Sequence, residues 1–152
     1  ECLFKAAKIL NYQGLHDFNI KMTYRDCIER TNIEFLGRIP REKVFQEYFK
    51  STLVFPSYIE SYPLPLEEAK IAGTIILASD CEFSREILNG YENAYYFDPF
   101  NPEQLAKLMK KVIIGQIVKK ETNQKCYSIS KENGWKLLIR ELTINNNERT
   151  IK

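Results

Sequence analysis

The stretch TIILASD, residues 74–80, is apolar at successive positions and opens on β-branched residues. Such a run has no polar face to offer water, so it predicts a strand covered on both sides, as in parallel sheets. STLVFPS at 51–57 reads the same way and is stopped by Pro56. Parallel neighbours need a long crossover between them, usually a helix. The intervening segments carry that period. PREKVFQEYFKS predicts a helix over 41–50, and residues 65–72 predict another, ended by Gly73. EFSREILNG gives a short helix and an Asn-Gly turn, and NAYYFDP at 93–99 gives a last strand. In NPEQLAKLMKKVIIGQ, Asn101 is placed as N-cap and Pro102 as first helical residue.

The first third repeats the alternation. ECLFKAAKILNYQG puts Leu3, Phe4, Ala7, Ile9 and Leu10 on a helical face, with Gly14 as the stop. DFNIKMTY, 17–24, alternates as a half-buried strand does, and NIEFLGRIP holds a short strand near 33–36 closed by Gly37. Residues 120–144 predict one or two further helices with Trp135, Leu138 and Leu142 on one face. The sum is an α/β, Rossmann-like parallel sheet flanked by helices, joined by right-handed crossovers. The domain spans residues 1–144 and is followed by a frayed tail, 145–152.

Charge is nearly balanced, with 22 Lys and Arg against 20 Asp and Glu. Nothing points to a nucleic-acid partner. The four cysteines, Cys2, Cys27, Cys81 and Cys126, are scattered without metal-ligand spacing and read as free, mostly buried thiols of a reducing compartment. No apolar run approaches the roughly 18 residues of a membrane span. The chain starts without Met, inside a helical pattern and without a signal peptide, so it reads as a fragment or an excised domain.

YIESYPLPLEEAKIAG, 58–73, is the segment with chemistry in it. It leaves the end of a predicted parallel strand, where ligands of such sheets bind. Pro63 and Pro65 stiffen the loop, and Pro65 suits the first turn of the next helix. A helix start offers free N–H groups and partial positive charge, a place for phosphate. Glu60 lies on the loop and Glu68 one turn into the helix, where a carboxylate can accept bonds from vicinal hydroxyls. Acidic residues near a helix start also favour the helix dipole, and Glu67 reads that way, as a solvated residue. His16 reads as a surface or capping residue. Tyr48, Phe49, Tyr95, Tyr96 and Phe97 read as mostly core. Arg85 and Glu86 read as a loop pair that either faces a ligand or is solvated.

PSYIESYPLPLEEAKIAGTIILASD resembles the signature of the group 1, family 4 glycosyltransferases of GT-B fold. Pro56, Ser57, Glu60, Leu64, Pro65, Glu68, Ala69, Gly73, Ser79 and Asp80 fit it, and Glu60 and Glu68 reproduce its E-x7-E spacing. SREILNGYENAYYFDPFNPEQLAKLMKKV and NIEFLGRIPREKVFQEYFKSTLVFPS are similar to the flanking stretches, so the likeness covers about residues 1–142. It implies the C-terminal, donor-binding half of a retaining transferase that uses a nucleoside-diphosphate sugar and no metal or other cofactor. It implies that Glu60 lies near the donor sugar in a positioning or charge-stabilising role. Glu68 would hold the ribose hydroxyls, Ser61, Tyr62, Pro63 and Leu64 would line the sugar and diphosphate, and Arg38 and Ile39 would meet the base. An acceptor glycan or lipid-linked glycan would bind through an N-terminal domain. The implied setting is surface polysaccharide or glycolipid synthesis in the cytoplasm, peripheral to the inner membrane face.

The chain departs from the pattern in several places. The usual E-G-F-G is E-S-Y-P here, and Pro63 has no N–H to offer. The link between the strand at 17–24 and Asn32 is short where the family has a full helix. The family's first strand, central in its sheet, and its phosphate-gripping Arg and Lys fall before residue 1, leaving an unfilled sheet position. Two other functions stay open: a non-catalytic module that binds a nucleotide or partner, and a GT-B-fold sugar-nucleotide epimerase, which lacks the E-x7-E context.

Overall fold

The computed structural model describes residues 1–24 and 31–121. In chain order the elements are α1 (Cys2–Tyr12), β1 (Ile20–Met22), β2 (Ile33–Phe35), α2 (Arg41–Lys50), β3 (Leu53–Phe55), α3 (Leu64–Ile71), β4 (Ile76–Ser79), α4 (Glu82–Ile87), β5 (Ala94–Phe97) and α5 (Pro102–Ile113). The helices expected over 120–144 and the tail lie outside the described residues, save for 120 and 121.

All strand pairs are parallel, as the buried apolar runs predict. The strands divide into two sheets, β1–β2 and β3–β4–β5. This is how the five strands of the expected sheet arrange themselves, and among the described residues β4 alone is paired on both sides. β4 lies between β3 and β5, and all four of its residues are buried. Its side chains alternate between two cores. Ile76 and Ala78 join Tyr48 of α2, Phe55 of β3, and Leu66 and Ala69 of α3. Leu77 points the other way, into Leu3, Ala6 and Leu10 of α1, Phe97 of β5, and Leu105, Ala106 and Met109 of α5. The sheet therefore carries α1 and α5 on one face and α2, α3 and α4 on the other. Ile20 of β1 and Val54 of β3 pack against the same α1–α5 core, which joins the two sheets into one body.

The strands are shorter than the runs that predicted them, and residues at their margins are tied to loops and helices instead. Asn32, at φ +63°, donates to the carbonyls of His16 and Phe18 at 2.9 and 2.8 Å, so residues ahead of Ile20 are tied to a loop. Ser51 turns back on α2, its hydroxyl donating to the Glu47 carbonyl at 2.6 Å. Thr74 donates to the Tyr48 carbonyl at 2.5 Å. Gly73, at φ +67°, makes the turn out of α3, a conformation that favours glycine. Asn101 caps α5 by accepting from the Gln104 N–H at 2.9 Å, with Pro102 opening the helix as anticipated. Of the aromatics read as core, Tyr48 and Phe97 are buried and Tyr95 and Tyr96 half-buried, while Phe49 is exposed on the outer face of α2. Cys2 and Cys81 are free and half-buried, not buried; Cys27 and Cys126 lie outside the described residues.

Beyond α5, Asn93 is fully buried and exchanges two bonds with the Lys120 backbone, at 2.9 and 2.8 Å. Asn93 directly precedes β5, so this clamp sits at the end of the sheet away from the strands' C-termini. Leu77→Ala should cost about 2–5 kcal/mol in urea unfolding, because it opens a cavity in a fully buried site. Tyr12→Ala, at a side chain 91% exposed, should change stability by no more than about 0.5 kcal/mol.

Candidate functional site

The loops that leave β2, β3, β4 and β5 hold nearly all the residues singled out for chemistry. Glu68 is the fifth residue of α3 and is only 9% exposed. A carboxylate is seldom buried this far without partners, and Glu68 has two. One oxygen accepts from the guanidinium of Arg41, the first residue of α2. The other accepts from the Tyr48 hydroxyl at 3.3 Å. Both partners are fixed in turn. Arg41 lies over the Phe45 ring, 5.7 Å from its centroid, and Phe45 meets Tyr48 edge-on at 5.9 Å. The Tyr48 hydroxyl is pushed to a higher pKa, by burial first and by the Glu68 charge second, and so stays a donor.

Arg41 follows Arg38 and Ile39 by one turn of chain. Its bond to Glu68 therefore brings the loop after β2 against α3, uniting two features that stand far apart in sequence. Arg38 is exposed and Ile39 half-buried. Arg41 and Tyr48 are the site residues that the sequence reading missed. Their signal is the stripe Arg41, Phe45, Tyr48, one face of a helix at i, i+4, i+7.

Glu60 stands in the opposite environment. It is exposed, and among the described residues its carboxylate has no hydrogen-bond or ion-pair partner. Ser61 is exposed as well, Tyr62 and Leu64 are largely so, and Pro63 is buried. Nearby Glu67 pushes the Tyr62 pKa up, and Glu67 itself is half-buried.

The start of α3 corrects one expectation. Pro63 has φ −82° and ψ 72°, the inverse γ-turn, which its ring tolerates. The turn is closed by the Leu64 N–H on the Tyr62 carbonyl at 3.0 Å. Pro65 brings no N–H, and the Leu66 N–H goes to the Pro63 carbonyl at 2.9 Å. The first three helical positions thus present no free N–H, and this helix start is not the phosphate cradle that free amides would make.

Around the rim, Arg85 is a residue of α4 and not of a loop. It grips Asp80 with two bonds, at 2.5 and 2.8 Å, and stacks over Tyr96 at 4.5 Å. Glu86 is exposed beside it. Exposed Tyr58 and Phe100, from the loops after β3 and β5, touch at 5.0 Å between ring centroids. His16 is exposed at the end of α1, with its Nδ1 3.2 Å from Asn11 Oδ1, which agrees with a surface role. Among the described residues no cluster of three or more His, Cys, Asp or Glu is placed to hold a metal, and no helix is long and apolar enough to cross a membrane.

Parallel strands with helices on both faces, and a carboxylate pair at the strands' C-terminal edge, define a Rossmann-like domain of the kind that forms the C-terminal half of a GT-B fold. The family model for glycosyl transferases group 1 matches residues 14–133, and the chain belongs to that family. No curated protein matches the chain. Membership supports glycosyl transfer in general, which implies a sugar donor and an acceptor.

The Arg85 grip lowers the Asp80 pKa below that of an unperturbed aspartate, chiefly through the hydrogen bond. A lowered folded value means that the pair stabilises the fold above the unperturbed value and loses that contribution as pH falls through the folded one. A carboxyl-carbon NMR titration should give Asp80 a depressed midpoint that returns toward the unperturbed value in Arg85→Gln.

Proposed function

We propose that this chain is the donor-binding domain of a retaining, family 4 type glycosyltransferase that takes its sugar from a nucleoside diphosphate. The reading rests on one observation above the others. Glu68 is buried and held on two sides, directly behind the Arg38–Ile39 loop, while Glu60 is exposed and unpartnered at the mouth of the same edge. An ionised carboxylate has about four acceptor positions. Arg41 and Tyr48 use two, leaving one on each oxygen for a vicinal diol such as ribose. The base then lies toward Arg38 and Ile39. Ser61, Tyr62, Pro63 and Leu64 line the path to the sugar.

Glu60, with no partner to neutralise it, can stabilise positive charge that develops on the sugar as the diphosphate leaves. It acts by position and charge and forms no covalent bond. The diphosphate draws little from the start of α3, whose amides are absent or used, so its neutralisation falls to protein cations. No metal is needed in this scheme. The acceptor, a glycan or lipid-linked glycan, would be brought by an N-terminal partner domain in the cytoplasm, at the inner face of the membrane, for surface polysaccharide or glycolipid synthesis.

The same helix start favours a second reading, a module that binds a nucleotide without transferring sugar. Pro63 and Pro65 remove the amide donors that a reacting diphosphate would use.

Calorimetric titration of UDP, GDP and ADP tests the first reading. One of the three should bind, with affinity falling tenfold or more in Glu68→Ala and staying within about twofold in Glu60→Gln. Equal binding by Glu68→Ala, or no binding of any of the three, would refute the donor site. A free nucleoside that binds as tightly as its diphosphate would favour the module.

A further inference from the structure

We infer that Arg41 is a positioning residue for ribose recognition: it holds the Glu68 carboxylate in the orientation that receives the diol, and acts on the ligand only through Glu68. The inference rests on the donor-site reading above and adds to it a residue that the E-x7-E signature does not contain.

The geometry behind it is specific. Glu68 belongs to α3, and its side chain, only 11% exposed, reaches toward α2. A glutamate has three rotatable bonds, and a carboxylate that must meet two hydroxyls at once loses affinity when it can turn away. Tyr48 alone makes one bond of 3.3 Å to a single oxygen. That leaves rotation about the bond incompletely fixed. The Arg41 guanidinium takes the other oxygen with a charge-assisted bond, the stronger kind. Arg41 is itself steadied by the Phe45 ring at 5.7 Å. With one acceptor position of each oxygen occupied, one remains on each for the two hydroxyls. The device sits where α2 begins, so it also fixes the distance from the diol site to Arg38 and Ile39.

The test compares ligands as well as variants. The nucleoside diphosphate among UDP, GDP and ADP that binds best is titrated against wild type, Arg41→Ala and Arg41→Lys, and then again as its 2′,3′-dideoxy form. Arg41→Ala should weaken the ribose form about tenfold and the dideoxy form less than twofold, since without the diol there is nothing for Glu68 to receive. Arg41→Lys should recover part of the loss. In a Glu68→Ala background, Arg41→Ala should change the affinity of the ribose form by less than twofold, because the two residues act as one. Thermal melting is followed alongside. If Arg41→Ala does not fold, Arg41→Lys carries the comparison, with about a threefold loss confined to the ribose form. An equal loss for both ligand forms would mean that Arg41 touches base or phosphate, or merely supports the fold, and overturns the inference while leaving the donor site intact. No loss for either form overturns it too. Failure of wild type to bind any of the three overturns the donor-site reading and this inference with it.

Discussion

Burial of β4 on both faces is the constraint from which the rest of the molecule follows. Ile76, Leu77, Ala78 and Ser79 are all buried, so the strand is flanked by strands and roofed by helices above and below. The two cores follow from its alternation, and the helix layers follow from the cores. Parallel pairing then sends the connecting loops after β3, β4 and β5 to one edge. That edge is where Glu60 and Asp80 emerge, at a place the core has already chosen.

The two carboxylates of the motif differ sharply in their surroundings. Glu68 is enclosed and held by Arg41 and Tyr48, the setting that the proposed recognition of hydroxyls calls for. Glu60 is open to whatever enters. The Pro63 turn explains how the chain gives up glycine at this point without losing the loop: proline favours the backbone angles of the inverse γ-turn, and the Leu64 amide closes it. The cost falls on the helix start, which has no free amides in its first positions. A helix start is an anion site only while its donors are unspent, and here the backbone spends them locally.

The architecture was legible because its signals are local or periodic. The apolar runs at β3 and β4, the alternation at β1 and the Asn-Pro start of α5 each announce their element. The strand ends were less legible, since Asn32, Ser51 and Thr74 tie them to loop and helix carbonyls, a contest that periodicity does not record. In the site, the positions of Glu60 and Glu68 could be read from their spacing and their resemblance to a family signature. The partners of Glu68 could not. Arg41 and Tyr48 lie 27 and 20 residues away, and only packing of α2 on α3 brings them to it. The use of the α3 amides was hidden for a different reason, because it depends on the backbone angles of Pro63 and not on residue type alone.

The division into two sheets has a consequence for motion. β1 and β2 are three residues each, with no fully buried side chain, whereas β3, β4 and β5 enclose the two cores. Segments with few buried contacts open at lower free energy than the body they adjoin. Arg38 and Ile39 directly follow the weaker sheet, whereas Arg41 and Glu68 stand on helices packed against the stronger. A nucleotide spanning both would join two units of unequal stability, and by linkage would hold the weaker one closed. The amide protons of Ile20–Met22 and Ile33–Phe35, far from any reacting atom, would register that occupancy as slowed exchange with solvent.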